Sequence, residues 1–351
     1  MSATAYISAS ALKHNLAVLS ERSAPARVMF VIKANGYGHG EADVAAIAYE
    51  AGIRHFGCLE IETAIRARAL FDDPDVSLLT WQFGEHDEVT LAALAGVELG
   101  VGSHAQLDIL EHGRFPGVPF RVHLKVDTGL NRNGVPAADW PRFVGRVVGL
   151  EKRGIVRTTG VWTHIAETDE EADNRAHSSF REAREVAELA LGRRLFAHLA
   201  ASSASFRLPD FRFDAVRIGG HAYGIPSFND ITPHEMGLEP VMTLTAPASR
   251  TSHATYGPIV RVDAGYLDGV PGYAARKVEV TIGGVRCEVL DVLDDHLIAR
   301  DAGVGAADTA YLFGPGEMGE QTVREWGDAL GTLGDEITCR IPASVTRIVT
   351  E

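Results

Sequence analysis

The sequence predicts two parts, an N-terminal (β/α)8 barrel and a C-terminal domain that is mostly β-structure. Two observations carry this prediction. Between residues 27 and 220, eight short apolar runs alternate with helix-like stretches, and so many regular units favour a closed barrel over an open doubly wound sheet. Beyond about residue 235, turns join the apolar runs instead. We therefore expect a barrel over residues 1–230 and a β domain over residues 231–351, with residues 1–10 as a candidate strand of the β domain.

The barrel strands are predicted from short runs that are apolar almost throughout. Such runs are typical of strands buried on both faces of a parallel sheet. The stretches between them, such as EADVAAIAYEAG (41–52) and RAHSSFREAREVAELALG (175–192), carry apolar residues three and four positions apart, as helices do. The predicted barrel strands lie at 28–34, 55–60, 76–82, 97–103, 119–129, 156–166, 195–203 and 213–220.

The C-terminal domain is predicted from strands joined by turns. Gly283-Gly284 stands where the turn of a two-residue hairpin would lie. Only TVREWGDALGTL (322–333) has the pattern of a helix in this part, and residues 225–240 are the expected connection to the barrel. The predicted strands lie at 241–249, 258–266, 277–293, 297–303, 309–316 and 336–349.

Composition excludes several classes of protein. The net charge of −14 provides no basic surface for nucleic acid, and no stretch of 18 apolar residues is present to span a membrane. Cys58, Cys287 and Cys339 are odd in number and far apart, which argues against a disulfide framework and against a metal site. The first residues lack the charged start and apolar core of a signal peptide, so we expect a cytoplasmic protein.

Polar residues stand at the carboxyl ends of several predicted strands. In a barrel these ends meet at one mouth, where the chemistry of such folds takes place. Any one of these residues could simply be solvated, but their convergence from several strands indicates a site. They are Lys33, Lys125, Asp127, Arg132, His164, Ser202, Ser203, Arg217, Gly219 and Gly220.

Lys33 indicates covalent chemistry with a carbonyl group. Lysine is ill suited to end a buried strand, but an amine partly removed from water is more readily neutral and can then attack an aldehyde. Barrels commonly bind phosphate with the loops after strands seven and eight, which carry SSAS (202–205) and RIGGHAYG (217–224) here. Glycine lets backbone N–H groups approach a phosphate, and serine adds a hydroxyl donor. A lysine opposite such a phosphate cup fits pyridoxal 5′-phosphate (PLP).

Five segments resemble the motifs of the alanine racemase family of PLP enzymes. The similarity covers nearly the whole chain, strongly in the barrel and thinly after residue 241. It implies PLP as the cofactor, a small amino acid as the substrate, and an isomerase that interconverts L- and D-amino acids by abstracting the Cα proton. The segments are VIKANGYGHG (31–40), HLKVDTGLNRNG (123–134), GVWTHIAETDE (160–170), FDAVRIGGHAYG (213–224) and DAGYLDGVP (263–271).

The resemblance implies roles for the residues that match these motifs. Lys33 would hold PLP as a Schiff base and act as one of two acid/bases at Cα. Tyr37 would hydrogen-bond the phosphate of the cofactor, together with Ser202, Gly219 and Gly220.

Further roles follow for the polar residues around the cofactor ring. Arg217 would face the pyridine nitrogen, with His164 beside it as its orienting neighbour. Because arginine stays protonated, that nitrogen would remain unprotonated. Arg132 would contact the cofactor's phenolic oxygen or the substrate carboxylate. Lys125 matches a lysine that is often carbamylated in the family, and Asp295 would lie near the substrate carboxylate.

Racemisation also needs a second acid/base on the opposite face of the substrate. The resemblance implies that a tyrosine from the partner subunit of a homodimer supplies it. The segment RTSHATYGPIV (250–260) offers two candidates. Tyr256-Gly257 matches the family's Tyr-Gly pair, and we favour Tyr256. In the other alignment His253 takes this place, and a histidine could do the same work near neutral pH.

Residues that face the substrate depart from the family pattern more than those that hold the cofactor. The family's Asn-Ser pair is Ala201-Ser202 here, the methionine before Asp295 is Asp294, and Ala343 aligns with a tyrosine. An alternative function therefore stays open, namely another PLP enzyme on the same scaffold with an altered substrate. It would be a decarboxylase, an aldolase or a biosynthetic lyase or transferase.

Overall fold

The computed structural model describes residues 3–85, 87–167, 169–226, 228, 230–305 and 308–351. The chain forms two compact units. One comprises Leu19–Lys33 and Gly52–Gly219, and the other comprises Met1–Val18, Ala34–Ala51 and Gly220–Glu351. The predicted boundary at residue 230 stays a prediction, and Ser227 and Asn229 of the expected connection, like Met1 and Ser2, lie outside the described residues.

The first unit contains a closed barrel of eight parallel strands, as predicted. Each strand pairs with the next, and pairing of the last with the first closes the ring. A two-residue strand, β7 (Val135–Pro136), pairs in parallel with the last two residues of β6. The barrel strands are β2 (Arg27–Val31), β3 (His55–Gly57), β4 (Ser77–Thr80), β5 (Glu98–Val101), β6 (Phe120–Asp127), β8 (Val156–Trp162), β9 (Phe196–His198) and β10 (Ala215–Ile218).

Helices connect these strands. The longest begins at Glu170, before the predicted range, because the Asp169 side chain caps it by accepting a hydrogen bond from the N–H of Ala172 at 2.8 Å. It ends at Gly192, whose φ of 67° is one that glycine adopts readily. The helices of this unit are α4 (Ile61–Arg68), α5 (Val89–Leu94), α6 (His104–His112), α7 (Trp140–Lys152), α8 (Glu170–Leu191) and α9 (Ser202–Arg207).

The second unit is built on an antiparallel sheet, as predicted. Six of its strands close into a ring because β11 pairs with both β12 and β16. Outside the ring, β1 (Thr4–Ser8) pairs antiparallel with β11, and β17 (Thr346–Thr350) pairs parallel with β1. The ring strands are β11 (Met242–His253), β12 (Gly257–Val262), β13 (Glu279–Ile282), β14 (Val285–Val292), β15 (Leu297–Arg300) and β16 (Thr309–Phe313).

One predicted strand of this unit is wrong over half its length. Residues 336–349 were expected to be extended, but α11 (Gly334–Cys339) is helical and only β17 is a strand. Asp335 and Glu336 stand in the first turn of α11, where negative charge favours a helix N-terminus. The predicted helix at 322–333 is confirmed as α10 (Val323–Leu330). No helix within the described part of the chain is long and apolar enough to cross a membrane.

Three helical segments lie near the amino end of the chain. They are α1 (Ala9–Ser23), α2 (Lys33–Tyr37) and α3 (Glu41–Glu50). In α2 the φ angles of Ala34, Asn35, Gly36 and Tyr37 lie between 51° and 61°, so the turn that follows Lys33 is left-handed. L-residues enter this conformation at a cost.

Gly38, just after this turn, has no room for a side chain. Its φ is 82°, and a Cβ placed on it would lie 1.9 Å from the carbonyl oxygen of Thr338 in the same unit. The turn after Lys33 is therefore fixed by a close contact between two backbones as well as by local conformation.

We expect Gly38→Ala to destabilise the protein by more than its backbone conformation alone requires. Gly52→Ala is the matched control, since Gly52 has a φ of 91° but nothing within 4 Å of its Cβ position. The control should cost about 1–3 kcal/mol of strain. Gly38→Ala should lower the midpoint of urea unfolding further, and equal losses for the two variants would contradict the proposed contact.

Candidate active site at the carboxyl ends of the barrel strands

The buried guanidinium of Arg217 lies at the centre of the candidate site. Arg217 lies on β10 and is only 5% exposed. Its Nη1 donates to Nδ1 of His198 at 2.9 Å, and its Nη2 donates to Nδ1 of His164 at 3.0 Å. Nη2 also lies 2.9 Å from the carbonyl oxygens of Thr163 and Leu199. These acceptors belong to the ends of β8 and β9 or follow them directly.

Arg217 pairs with no carboxylate among the residues that the structure describes. Burial lowers its pKa to about 9, so the guanidinium is still charged near neutral pH. A buried charge without an ionic partner is costly and is retained only where hydrogen bonds satisfy it. Two backbone carbonyl oxygens and two imidazole nitrogens accept those hydrogen bonds here.

His164 and His198 must both be neutral acceptors. A guanidinium has only donors, so the ring nitrogen that faces it carries no proton. Burial and then the charge of Arg217 lower the pKa of His164 to about 2, with smaller contributions from Arg132, Lys125 and Lys33. The same two causes hold the pKa of His198 well below its ordinary value.

Two further cationic side chains of the first unit act on this site. The Nζ of Lys125, on β6, donates to the backbone oxygen of Arg132 at 3.0 Å. Burial and then the charges of Arg217 and Arg132 lower the pKa of Lys125 to about 8. Lys33 follows the end of β2 and is half-buried. With four cations around His164, the site favours a ligand that carries several negative charges.

Trp162 is a site residue that the sequence analysis did not single out. Its ring stacks on His198 with centroids 5.5 Å apart, and the Nζ of Lys125 lies 4.7 Å from its centroid. The indole Nε1–H is buried and has no hydrogen-bond partner among the described residues. It is therefore a donor without an acceptor next to Lys125.

The predicted phosphate-binding residues are divided between the two units. In the first unit, the N–H of Gly219 donates to Oγ of Ser202 at 3.0 Å, at the start of α9. In the second unit, Tyr37 is 6% exposed and its ring lies 5.0 Å from that of Tyr223. Burial raises the pKa of Tyr37, so its hydroxyl remains a donor. Gly220 also has no space for a side chain, since a Cβ would lie 2.7 Å from the carbonyl oxygen of Ile225.

The two candidates for the second acid/base lie on one turn of the second unit. His253 ends β11 and Tyr256 precedes β12, and their rings stack with centroids 5.0 Å apart. Tyr256 also packs against the buried cluster of Ile259, Leu290 and Ile298. The N–H of Thr255 donates to Nδ1 of His253 at 3.2 Å, so in the neutral ring the proton is on Nε2.

Asp295 lies in the same unit and is exposed. Its carboxylate accepts hydrogen bonds from Nδ1 of His296 at 2.7 Å and from Arg261 at 3.2 Å. The structure thus brings Lys33, Lys125, Arg132, His164, Ser202, Arg217 and Gly219 into the first unit, while Tyr37, Gly220, His253, Tyr256 and Asp295 belong to the second.

Comparison with known proteins covers both units. The family model for the N-terminal domain of alanine racemase matches residues 7–227, and the model for its C-terminal domain matches residues 249–349. The alanine racemase of Thermobifida fusca is 36% identical over 371 residues, which cover 99% of this chain and 98% of the relative. That of Streptomyces coelicolor is 34% identical and covers 99% and 95%.

Solved structures agree with these relatives. The alanine racemase from D-cycloserine-producing Streptomyces lavendulae has a TM-score of 0.92 at 30% identity and covers 100% of this chain and 97% of its own. The alanine racemase from Streptomyces coelicolor A3(2) has a TM-score of 0.91 at 33% identity and covers 100% and 98%.

We expect the imidazole of His164 to remain neutral down to about pH 4, because its pKa is about 2. Removal of the largest neighbouring charge by Arg217→Gln should raise this pKa. The measurement is a pH titration by ¹⁵N NMR of histidine-labelled protein, with the His164 signal assigned from His164→Gln. A wild-type His164 that titrates near 6.5, the ordinary value, would contradict the hydrogen bond from Arg217.

Proposed function

The chain belongs to the alanine racemase family, and from this membership we propose that its substrate is alanine. It is a PLP-dependent amino-acid racemase. The family similarity spans the whole chain, so it favours racemisation over the decarboxylase, aldolase, lyase and transferase alternatives. The observation that carries the proposal is the buried guanidinium of Arg217, which donates to His164 at the carboxyl ends of the barrel strands, with the charges of Arg132, Lys125 and Lys33 acting on the same imidazole. A cytoplasmic location stays a prediction.

The donor set fits PLP. The cofactor has an aldehyde, an anionic phosphate and a ring nitrogen that can accept a hydrogen bond. The first unit offers an amine at Lys33, a fixed donor at Arg217, and a hydroxyl and N–H group at Ser202 and Gly219. When bound, the cofactor draws electrons from Cα of the substrate and so makes its proton removable.

Lys33 would hold the cofactor covalently through its amine and exchange a proton with Cα from one face. Arg217 would face the ring nitrogen. Its contacts with Thr163, Leu199, His164 and His198 fix its orientation, and because a guanidinium has only donors it can only donate to that nitrogen. An unprotonated ring nitrogen limits electron withdrawal, which restrains side reactions after the proton leaves.

The phosphate would be held mainly by neutral donors. From the first unit we propose Ser202 and Gly219, where the N–H of Gly219 donates to Oγ of Ser202 and so leaves the hydroxyl proton of Ser202 to donate to the phosphate. Tyr37 would contribute its hydroxyl, which burial keeps protonated, and Gly220 a backbone N–H. N–H groups next to glycine are suited to this task because no side chain keeps the phosphate away.

Arg132 would bind the substrate carboxylate, with Asp295 as a further predicted residue near it. We also propose that Lys125 is carbamylated. Its lowered pKa favours the neutral amine, whose lone pair can bond to the carbon of CO₂ as one proton leaves to solvent. The carbamate would replace a cation by an anion beside Arg132. It would also bring acceptor oxygens to the side of Trp162, whose Nε1–H has none.

A second acid/base would come from the turn that carries His253 and Tyr256, supplied by the partner subunit of a homodimer. The sequence favours Tyr256. The ring of Tyr256 packs on Ile259, Leu290 and Ile298, which holds it in place. In neutral His253 the lone pair is on Nδ1, where the N–H of Thr255 already donates, so Nε2 carries the proton and cannot take another. This hydrogen bond favours Tyr256 over His253 as the base.

We expect the wild-type holoenzyme in heavy water to exchange the Cα proton of both L- and D-alanine with inversion. Lys33→Ala should abolish exchange. Tyr256→Phe should lower turnover by about 10²–10⁴-fold, the usual contribution of an acid/base, because it removes the hydroxyl that exchanges the proton, whereas His253→Gln should retain most activity. Proton NMR with chiral chromatography measures all four proteins. A severe loss in His253→Gln with an active Tyr256→Phe would reverse the assignment.

Carbamylation of Lys125 has a direct spectroscopic test. Protein equilibrated with ¹³C-labelled bicarbonate should give a carbamate carbon signal in ¹³C NMR. The signal should disappear in Lys125→Ala and persist in Lys152→Ala, whose lysine is exposed at the end of α7. A wild-type spectrum without the signal would contradict the assignment.

A further inference from the structure

Two polar residues in the barrel have no role in the site described above. Glu98 is the first residue of β5, and His123 lies in the middle of β6. They are 5% and 2% exposed. Burial of a carboxylate and an imidazole costs free energy unless hydrogen bonds satisfy both groups.

These two residues connect to Arg217 through an unbroken row of side chains. Nη1 of Arg217 lies 2.9 Å from Nδ1 of His198, and Nε2 of His198 lies 2.9 Å from Nδ1 of His123. Nε2 of His123 lies 3.4 Å from Oε2 of Glu98. The row runs through the barrel from the beginning of β5 to β10, where Arg217 stands.

Counting protons along this row leaves one arrangement. Arg217 can only donate, so Nδ1 of His198 must accept and its proton is on Nε2. That proton is donated to Nδ1 of His123, which must then carry its own proton on Nε2 and donate it to the Glu98 carboxylate. Each imidazole is neutral, and every donor points away from Arg217.

The far end of the row is held as an anion. Burial by itself raises the pKa of Glu98, but His123, Ser77 and Arg121 together bring it well below its ordinary value. Oγ of Ser77 donates to Oε2 at 2.7 Å, and Arg121 donates twice to Oε1 at 2.8 and 3.1 Å. Glu98 is thus a fixed acceptor at the end of the row.

Strand pairing makes room for the row. His123 pairs with Gly160 on β8, where a Cβ would lie 2.6 Å from the imidazole. Any larger residue at position 160 would push the ring out of line with His198. The absence of a side chain there is what lets His123 occupy the barrel interior.

We propose that Glu98 is a positioning residue for Arg217, acting through His123 and His198. The relevance of this to catalysis rests on the proposed function, in which Arg217 faces the cofactor. Glu98 fixes the proton of His123 on Nε2, so Nδ1 of His123 accepts a hydrogen bond from Nε2 of His198. Nδ1 of His198 is then unprotonated and accepts a hydrogen bond from Arg217. The row thereby fixes the direction of the guanidinium.

The first test replaces Glu98 by leucine. Glu151→Leu is the matched control, since Glu151 is also a partly buried glutamate of the first unit that pairs with an arginine, Arg193. ¹⁵N NMR of histidine-labelled apoprotein should show both His123 and His198 protonated on Nε2 in the wild type and in the control. Glu98→Leu should lose this pattern. In the holoenzyme it should change the absorption spectrum of bound PLP and lower kcat about tenfold or more, with KM within about twofold.

A second variant moves the row without removing any polar atom. Gly160→Ala should displace His123 and reproduce the spectroscopic and kcat changes of Glu98→Leu. Gly145→Ala, on α7 with nothing within 4 Å of its Cβ position, is the control and should behave as the wild type.

The results separate positioning from mere stability. If Glu98→Leu and Gly160→Ala melt at lower temperature but keep the wild-type histidine tautomers, PLP spectrum and kcat, the proposal is wrong. A fall in kcat with unchanged tautomers also overturns it, because the effect would not travel through the histidines. If the wild type shows the predicted tautomers but racemises no amino acid, the proposed function fails while the row itself stands.

Discussion

The charge of Arg217 is the constraint on which the rest of the site depends. A guanidinium inside a barrel, with no carboxylate paired to it in the described part of the chain, must be satisfied by dipoles. Backbone oxygens at the ends of β8 and β9 and two imidazoles provide them. Because Arg217 can only donate, both histidines are held neutral. The protonation state of both histidines follows from this one buried cation.

The surplus of positive charge explains the kind of ligand that completes the site. The charges of Lys33, Lys125, Arg132 and Arg217 all act on His164, and burial strengthens the repulsion between Lys125 and Arg217. A substrate carboxylate would relieve that repulsion, and a carbamate on Lys125 would do so from within the protein. The site is thus incomplete as a set of protein charges and is balanced by what it binds.

The sequence predicts the two folds and most of the residues of the candidate site, for physical reasons. Buried parallel strands are continuous apolar runs, so all eight barrel strands could be found, and Lys33 and Arg217 stood out as charges at their ends. The helix α11 was missed because a short helix of six residues offers little periodicity. Glu98, His123 and His198 were missed because only closure of the barrel brings them together. One signal was present: each is a polar residue inside an apolar run.

The central claim is that Arg217 is a fixed donor that leaves the ring nitrogen of the cofactor unprotonated. The most direct measurement is ¹⁵N NMR of the holoenzyme loaded with PLP labelled at that nitrogen. We predict a resonance typical of an unprotonated pyridine that stays unchanged from pH 8 to about pH 5, since Arg217 cannot accept a hydrogen bond from a protonated nitrogen. A protonated nitrogen at neutral pH would contradict the account, because Arg217 would then have to accept a hydrogen bond.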